Sequence, residues 1–456
     1  MNQKQIISSL IDELYKIRSG ESEPGFDFDT GRNNRQCMFN RKVKQDIKNL
    51  ADIMKANLQT EVVKIENDKF TSLITQIIVD LFTEDQFIND QESAKENLNS
   101  LKIETDKRLG LISRNSTHHF AARTAGLESD EIIRLGSVSI INRDQWIDTV
   151  DYCKEVKNNY LSEKEANYNW KEILRSALKD KNAPLNGLAL EIYPVIERCD
   201  AVISVDVSGM EHKLAQKFAR IQAKAALDMI SLLIGGKRVF FQQVLNEERL
   251  GPTMTYSLSS FEGYLNLKGQ SLGMQCGPII GSKTHKQIHL ENLDFYKLKF
   301  DYILKNLNST DDSALHPVLA NKWVHALNWY AEGMREANDA IAIAKLASCL
   351  DTLSSSGKTR GIKEVICNMF ELNDRDILFD KHGVNPISVH TFVTSFYEEG
   401  RSRILHGTLN SMVEPFEVER ERLEKVAKDI LLICSERLFT YKGADEEKAF
   451  RSMKVD

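Results

Sequence analysis

Apolar residues recur at spacings of three and four along most of the first 160 positions. That spacing predicts amphipathic helices over 2–18, 42–56, 68–83, 90–113 and 143–160. The first carries Ile6, Ile7, Leu10, Ile11 and Leu14 on one face. Between Gly20 and Asn34 the run ESEPGFDFDTGRNN is dense in turn formers and reads as a loop. The pattern changes near residue 185. LALEIYPVIERCDAVISVDVSG holds two runs of alternating or β-branched apolar residues, which predict strands. MEHKLAQKFARIQAKAALDMISLLIGG then returns to helical spacing and closes on Gly235 and Gly236. Short strand-like runs, RVFFQQV and TMTYSLSS, follow among several glycines.

From Pro317 the helical period resumes. HPVLANKWVHALNWYAEGM, REANDAIAIAKLASCLDTL and KTRGIKEVICNMF predict three helices, with Ser354–Gly357 breaking the second from the third. Asn385–Pro386 predicts a cap and first turn for PISVHTFVTSFYEEGRSRILHG, which Gly407 can end. EPFEVERERLEKVAKDILLICSERLF supplies a last helix. Asn308–Asp312 reads as a linker. The expected fold class is α+β, predominantly helical. It has a helical N-terminal region over 1–184, a small α+β domain over 185–305, and a C-terminal α-helical bundle over 306–456.

Composition adds bounds. The chain has 456 residues, 42% hydrophobic and 28% charged, with a net charge of −6. It is not a polycation, so any nucleic-acid contact must come from a local patch. Its seven cysteines fall at no CxxC spacing, which argues against a zinc knuckle or disulfide framework and for a reducing compartment. The N-terminus lacks the pattern of a signal peptide, and no apolar run is long enough to span a bilayer. The expected location is the cytoplasm, with no membrane partner.

Arg401 and His406 lie in FYEEGRSRILHG (Phe396–Gly407), five residues apart, with Ser402 after the Arg. The Arg-x4–6-His spacing alone carries little, because about one or two matches are expected by chance in a chain of this length. Arg114–His119 and Arg375–His382 also fit it. Context separates them. Ile404 and Leu405 can anchor the first pair in a bundle, whereas Arg114–His119 reads as a helix end leading into a loop and Arg375–His382 crosses an Asp-rich turn. HALNWYAEG (His325–Gly333) and LASCLDTLSS (Leu346–Ser355), with Asp351 between two leucines, precede the motif.

With those segments, residues 317–440 resemble HEPN domains (higher eukaryotes and prokaryotes nucleotide-binding), in particular the Apea-like group. The resemblance covers about the last third of the chain. The family more often has Asn or Asp where Ser402 stands. The resemblance implies a metal-independent endoribonuclease, without cofactor or metal, that cuts RNA by attack of the ribose 2′-OH. Arg401 and His406 would be catalytic, and the protein would be a homodimer through this domain, so that two Arg–His sets line one cleft. Apea-like proteins serve anti-phage defence, which implies a defence or toxin role and a phage-derived or nucleotide trigger. A HEPN domain can also lose catalysis and serve as a dimerisation or nucleotide-binding sensor or scaffold.

The residue types suit the chemistry. Histidine titrates near neutrality, and arginine presents a fixed fork to phosphate oxygens. Residues five apart on a helix are about 140° from eclipsed, a gap that a long Arg can partly close. Arg403 shares a helix face with His406 and could grip phosphate or pair with Glu399. Asp351 could orient a catalytic group or be a solvated acid. Tyr397 fits a packed bundle residue better than a base-stacking one. SSSGKTR (Ser354–Arg360) hints at a P-loop but lacks the first glycine and a preceding strand. Arg32, Arg35, Arg41, Lys42, Lys44 and Lys48 form either an RNA-backbone patch or a solvated face. Lys283, His285, Lys286 and His289 read as a surface loop, not as a metal site. Residues 310–456 hold nineteen Lys and Arg against twenty-four Asp and Glu, so positive potential is needed only in a cleft.

Overall fold

The computed structural model describes residues 2–57, 64–90, 92–113, 115–160, 169–248, 255–257, 259–265, 269–271, 280, 282–307, 314–380, 386–408 and 415–454. Its secondary structure is predominantly helical with a small sheet region, an α+β composition. The chain forms two compact units, Met1–Ser116 with Asp206–Phe218, and Thr117–Val205 with Ala219–Asp456. Neither coincides with one of the sequence blocks 1–184, 185–305 and 306–456.

In the first unit, α1 (Gln3–Ser19) starts at a capping box. The Asn2 side chain accepts from the backbone N–H of Gln5, and the Gln5 side chain accepts from that of Asn2. Gly20, at φ 82°, ends it in the left-handed region where glycine carries no Cβ penalty. Ile6, Ile7, Leu10, Ile11 and Leu14 are buried, as their spacing predicts. The segment read as a loop instead contains a strand, β1 (Asp27–Thr30), which pairs antiparallel with β2 (Gln36–Phe39) just beyond it. The signal for the pair is short and sits in β2, where Cys37 and Phe39 face the core and Gln36 and Met38 do not. Helices α2 (Arg41–Ala56), α3 (Asn67–Thr83) and α4 (Ala94–Ile112) complete the core around Leu50, Phe70, Ile74, Ile77 and Leu101.

The second unit carries a five-stranded sheet in the order β4-β5-β6-β3-β7. These are β3 (Ser116–Arg123), β4 (Ile133–Leu135), β5 (Val138–Asn142), β6 (Ala201–Val207) and β7 (Val244–Leu245). Between β5 and β6 run α5 (Arg143–Thr149), α6 (Lys154–Tyr160), α7 (Trp170–Lys179) and α8 (Gly187–Ile196). So 143–160 is two short helices rather than one. Of the two strands expected after residue 185, only the second forms. LALEIYPVI is α8, whose Leu188, Ala189 and Ile196 pack into the core beside Trp170 and Leu174. A short apolar run does not distinguish a buried helix from a buried strand.

Helix α9 (His212–Ile234) follows, and then α10 (Lys237–Gln242), where RVFFQQV was expected to be a strand. Only Val244, the last residue of that stretch, pairs, with Arg123, and the next residue, Leu245, pairs with Ala122. The short run Thr255–Ser257 does pair, with Gly269–Ser271. Lys283–Leu307 is a helix of 25 residues, α11, not a surface loop. Its inward positions Leu293, Phe300, Ile303, Leu304 and Leu307 are three, four or seven apart. The linker expected at Asn308–Asp312 lies outside the described residues.

The bundle helices follow as α12 (Pro317–Met334), α13 (Asp339–Leu353) and α14 (Lys358–Phe370). The next helix begins as α15 (Val389–Thr394), passes through a π-helical stretch at Ser395–Ser402, and ends as α16 (Arg403–Leu405); α17 (Glu417–Thr440) follows. Pro386 does not open α15. Ile387–Ser388 pairs with Ile377–Phe379, and the Ser388 hydroxyl accepts from the backbone N–H of Thr391 as the cap. Gly407 ends α16 at φ 66°. Buried Trp323 donates to the Leu431 carbonyl at 2.8 Å, tying α12 to α17. A Cβ on Gly333 would lie 2.8 Å from Leu346 Cγ, so α12 and α13 approach closely there. No helix among the described residues is long and apolar enough to cross a membrane.

One buried arginine joins the bundle to α9 and α10. Arg335, at the end of α12, forms an ion pair with Asp228 of α9. Its Nε donates to the Phe240 carbonyl at 2.8 Å and an Nη to the Gln243 carbonyl at 3.1 Å. Replacing it leaves buried Asp228 with Lys224 alone and strands two carbonyls away from water. Arg335→Met should lower stability by about 3–5 kcal/mol, read as a loss in urea midpoint. Adding Asp228→Asn should recover part of that loss.

The first unit has its own pH signature. Glu13 is buried and accepts from Ser22 at 2.6 Å, Asn40 at 2.7 Å and Lys42 at 3.0 Å. The Ser22 hydrogen bond first, and then Lys42, pull its pKa from 4.5 to about 2. A depressed carboxylate contributes stability above its unfolded pKa and loses it as pH falls through the folded value. Thermal melts should therefore show a fall between pH 4.5 and 2 that is smaller in Glu13→Gln.

Candidate functional site

Arg401 lies in the π-helical stretch, one residue after Gly400. A Cβ on Gly400 would sit 3.0 Å from Ile343 Cγ2, so the missing side chain lets this stretch press against α13. The approach brings Arg401 to a polar strip on α13. Ser348 and Asp351 are three apart on that helix and share a face. Arg401 Nε donates to Ser348 Oγ at 3.3 Å, and an Nη lies 3.4 Å from Asp351 Oδ2. The other Nη donates to Tyr397 Oη at 3.1 Å, and Arg401 Cζ sits 5.1 Å from the Tyr397 ring centroid, within cation–π range. Insertions of π geometry often mark functional sites.

Asp351 is thus not a solvated acid. Its side chain is 13% exposed and that of Arg401 is 22% exposed. Asp351 Oδ1 is buried and has no hydrogen-bond partner among the described residues. Burial, and then the Asp351 charge, push the Tyr397 phenol up from 10.0. The cluster therefore holds one guanidinium between a carboxylate, a hydroxyl and a ring, with one carboxylate oxygen left without a donor.

His406 is placed differently. It is exposed at the end of α16, and its backbone N–H donates to the Ser402 carbonyl at 3.0 Å. No side-chain hydrogen bond reaches its imidazole from the described residues. Ser402 closes the π-helical stretch, and the Arg403 carbonyl accepts from the Thr408 N–H at 2.9 Å. Arg401, Asp351, Ser348 and Tyr397 form one cluster, while His406 stands at the solvent-facing end of the same helix. Ser348 was missed from the sequence, although its spacing from Asp351 was the available signal.

The other sequence motifs fall elsewhere. Arg114 and His382 lie outside the described residues. His119 is on strand β3, not on a helix end, where its Nδ1 is 2.8 Å from Ser204 Oγ and takes the Trp146 Nε1 hydrogen at 3.2 Å. The Ser354–Gly357 turn is filled by Arg451, whose Nε donates to the Ser354 carbonyl at 2.7 Å. A Cβ on Gly357 would lie 2.5 Å from Arg451 Nη2, which leaves no cradle for a phosphate.

The basic run near residue 40 is largely neutralised. Arg32 pairs with Glu84 at 3.0 Å, Arg35 with Asp85 at 3.2 Å, Lys42 with Glu13 at 3.0 Å, and Lys44 with Asp27. That favours a solvated, ion-paired face over an RNA patch. His285 and His289 sit one turn apart on α11, and burial lowers the His289 pKa. Among the described residues no three His, Cys, Asp or Glu side chains could hold a metal ion together. Cys37, Cys153, Cys199, Cys349, Cys367 and Cys434 are free.

No family model, no curated protein and no solved structure matches the chain.

The cluster makes an energetic prediction. Arg401→Met leaves the Asp351 carboxylate mostly buried beside a raised phenol, and should cost about 1–3 kcal/mol. Arg401→Met with Asp351→Asn should cost less than the sum of the two single changes. A double-mutant cycle in urea measures the difference, and simple additivity would show that the two groups are not coupled.

Proposed function

We propose that the chain is a metal-independent endoribonuclease of the HEPN type, acting as a homodimer. The observation that carries this reading is the arrangement of one helix. Arg401 is held at its widened turn by Asp351, Ser348 and Tyr397, and His406 is open to solvent at its end. In this reading an RNA phosphate replaces Asp351 on the Arg401 guanidinium, which stabilises charge growing on the phosphate oxygens. The His406 imidazole takes the proton from a ribose 2′-OH. The O2′–P bond forms and the P–O5′ bond breaks, and the departing 5′-oxygen takes a proton from the second imidazole of the dimer. The products are a 2′,3′-cyclic phosphate and a 5′-hydroxyl. Ser402 and Arg403 flank the cleft and contact the substrate backbone. In this reading the resemblance to Apea-like proteins supports a role in anti-phage defence, released by a phage-derived or nucleotide trigger.

A second reading has one observation in its favour. Arg401 is already engaged by three side chains of its own chain, as a purely structural residue would be. The domain would then be an inactive dimerisation or nucleotide-binding module.

Expression of wild type, His406→Ala and Arg401→Ala under an inducing stimulus separates the two. The nuclease reading expects growth arrest and degraded total RNA with wild type alone. It also expects cleavage by purified protein in EDTA to fall by about 100-fold or more in His406→Ala. Equal toxicity with intact RNA in all three would sink it.

A further inference from the structure

A cavity of about 550 Å³ opens at one end of the sheet in the second unit. Its walls come from four places. The turn after β3 supplies Glu128, the first residue of α5 just past β5 is Arg143, the residue before β6 is Asp200, and the first turn of α11 supplies Lys283 and Lys286. The lining carries both signs side by side: Glu128, Asp130, Asp144 and Asp200 against Arg143, Lys283 and Lys286, with the Arg143 N–H donating to the Asp200 carbonyl at 3.1 Å. Lys286 is spoken for, since it donates to Ser129 Oγ at 2.6 Å and pairs with Asp130. Lys283 makes no ion pair with a described residue. Arg143 donates one Nη to the Cys199 carbonyl at 3.3 Å and touches Asp144 only at 3.5 Å, so its outer edge is available. Glu128 is buried and accepts the Thr124 hydroxyl at 2.6 Å. Burial first, reinforced by Asp200, pushes its carboxyl up from 4.5, toward the form that both donates and accepts hydrogen bonds.

A ligand for this cavity needs an anionic group for the cations that are not fully paired and a hydrogen-bonding edge for the carboxyls. An amino acid carries both but leaves most of the volume empty, whereas pockets of about 300–1,000 Å³ suit ligands of nucleotide size. We propose that the cavity binds a nucleotide, with its phosphate on Lys283 and Arg143 and its base edge on Glu128 and Asp200. The positive end of the α11 dipole adds to the attraction for phosphate. This site is separate from the Arg401 cluster and stands whether or not that cluster cuts RNA.

The test is a calorimetric titration of the full chain, in EDTA, with AMP, GMP, CMP and UMP. Inorganic phosphate and the matching nucleosides form separate arms. At least one nucleotide is expected to bind with a Kd near or below about 1 mM, and more tightly than phosphate or its nucleoside. Lys283→Ala with Arg143→Ala should weaken it about tenfold or more, the size of a lost charged contact. Asp200→Ala should weaken the nucleotide but not phosphate. Both sets remove exposed or half-buried side chains, and matched thermal melts check that the fold survives. Arg401→Ala should leave the affinity unchanged. The proposal is overturned if no nucleotide binds, if phosphate binds as tightly as the nucleotides, or if the cavity variants bind like wild type. It is equally overturned if Arg401→Ala abolishes binding, which would move the ligand to the other cluster.

Discussion

Much of the second unit depends on a charge taken out of water. Arg335 ends α12, and its guanidinium is fully enclosed by Asp228, the Phe240 and Gln243 carbonyls, and Glu332 at 3.3 Å. Lys224 adds a second cation to Asp228 at 3.0 Å. A buried ion pair of this sort contributes little net stability compared with apolar packing, but it is costly to break on one side. Its effect is to fix one arrangement. Helices α9, α10 and α12 can meet only where the fork finds every acceptor, and the sheet strand β7 follows directly from α10. The bundle and the sheet thus share an anchor, and the backbone contact from the Gly136 N–H to Asp301 at 2.6 Å adds another on α11.

Other arginines repeat the device at smaller scale. Arg420 crosses from α17 to the last turn of α12, donating to the Gly333 and Glu336 carbonyls while pairing with Asp339 at 2.7 Å and Glu424 at 2.7 Å. Arg437 donates to the Met453 and Met369 carbonyls, and Arg451 to that of Ser354. The Gly333, Met369 and Ser354 carbonyls among these are ones that a helix end leaves without partners. Arg401 differs from all of them. It donates to side chains rather than to backbone carbonyls, and its chief counter-ion retains an oxygen without a donor among the described residues. A guanidinium held by exchangeable partners can trade one of them for a phosphate, while one clamped by carbonyls cannot. That contrast supports reading Arg401, rather than Arg335, Arg420, Arg437 or Arg451, as a substrate-facing residue.

The slight acidity of the C-terminal third fits this picture. Arg335, Arg420, Arg437 and Arg451 are committed to structure, and acids outnumber bases there, so a nucleic acid would be held by a few groups in a cleft rather than by a basic surface. The pairing of Arg32, Arg35, Lys42 and Lys44 with carboxylates removes the strongest rival patch in the first unit. The proposed nuclease and nucleotide sites both rest on side chains drawn from several elements of the second unit.

The sequence by itself determined several of the helices, though not the 25-residue α11. The inward face of α1, the spans of α2, α3 and α14, and the left-handed stop at Gly407 all follow from period and from glycine's freedom. These are local properties, and local physics decides them. The α8 segment was misread because a short apolar run is equally at home in a buried helix or strand, and only Trp170 and Leu174 packed against it decide which. The β1–β2 hairpin escaped for a related reason, since only Cys37 and Phe39 turn inward and their partners lie across the turn. At the candidate site the sequence located Arg401, His406 and Asp351. It did not indicate that Gly400 and a π-helical stretch press Arg401 onto Ser348 and Asp351, nor that His406 would stand apart in solvent. Those outcomes depend on the close approach of two helices some fifty residues apart, a constraint that no local pattern encodes.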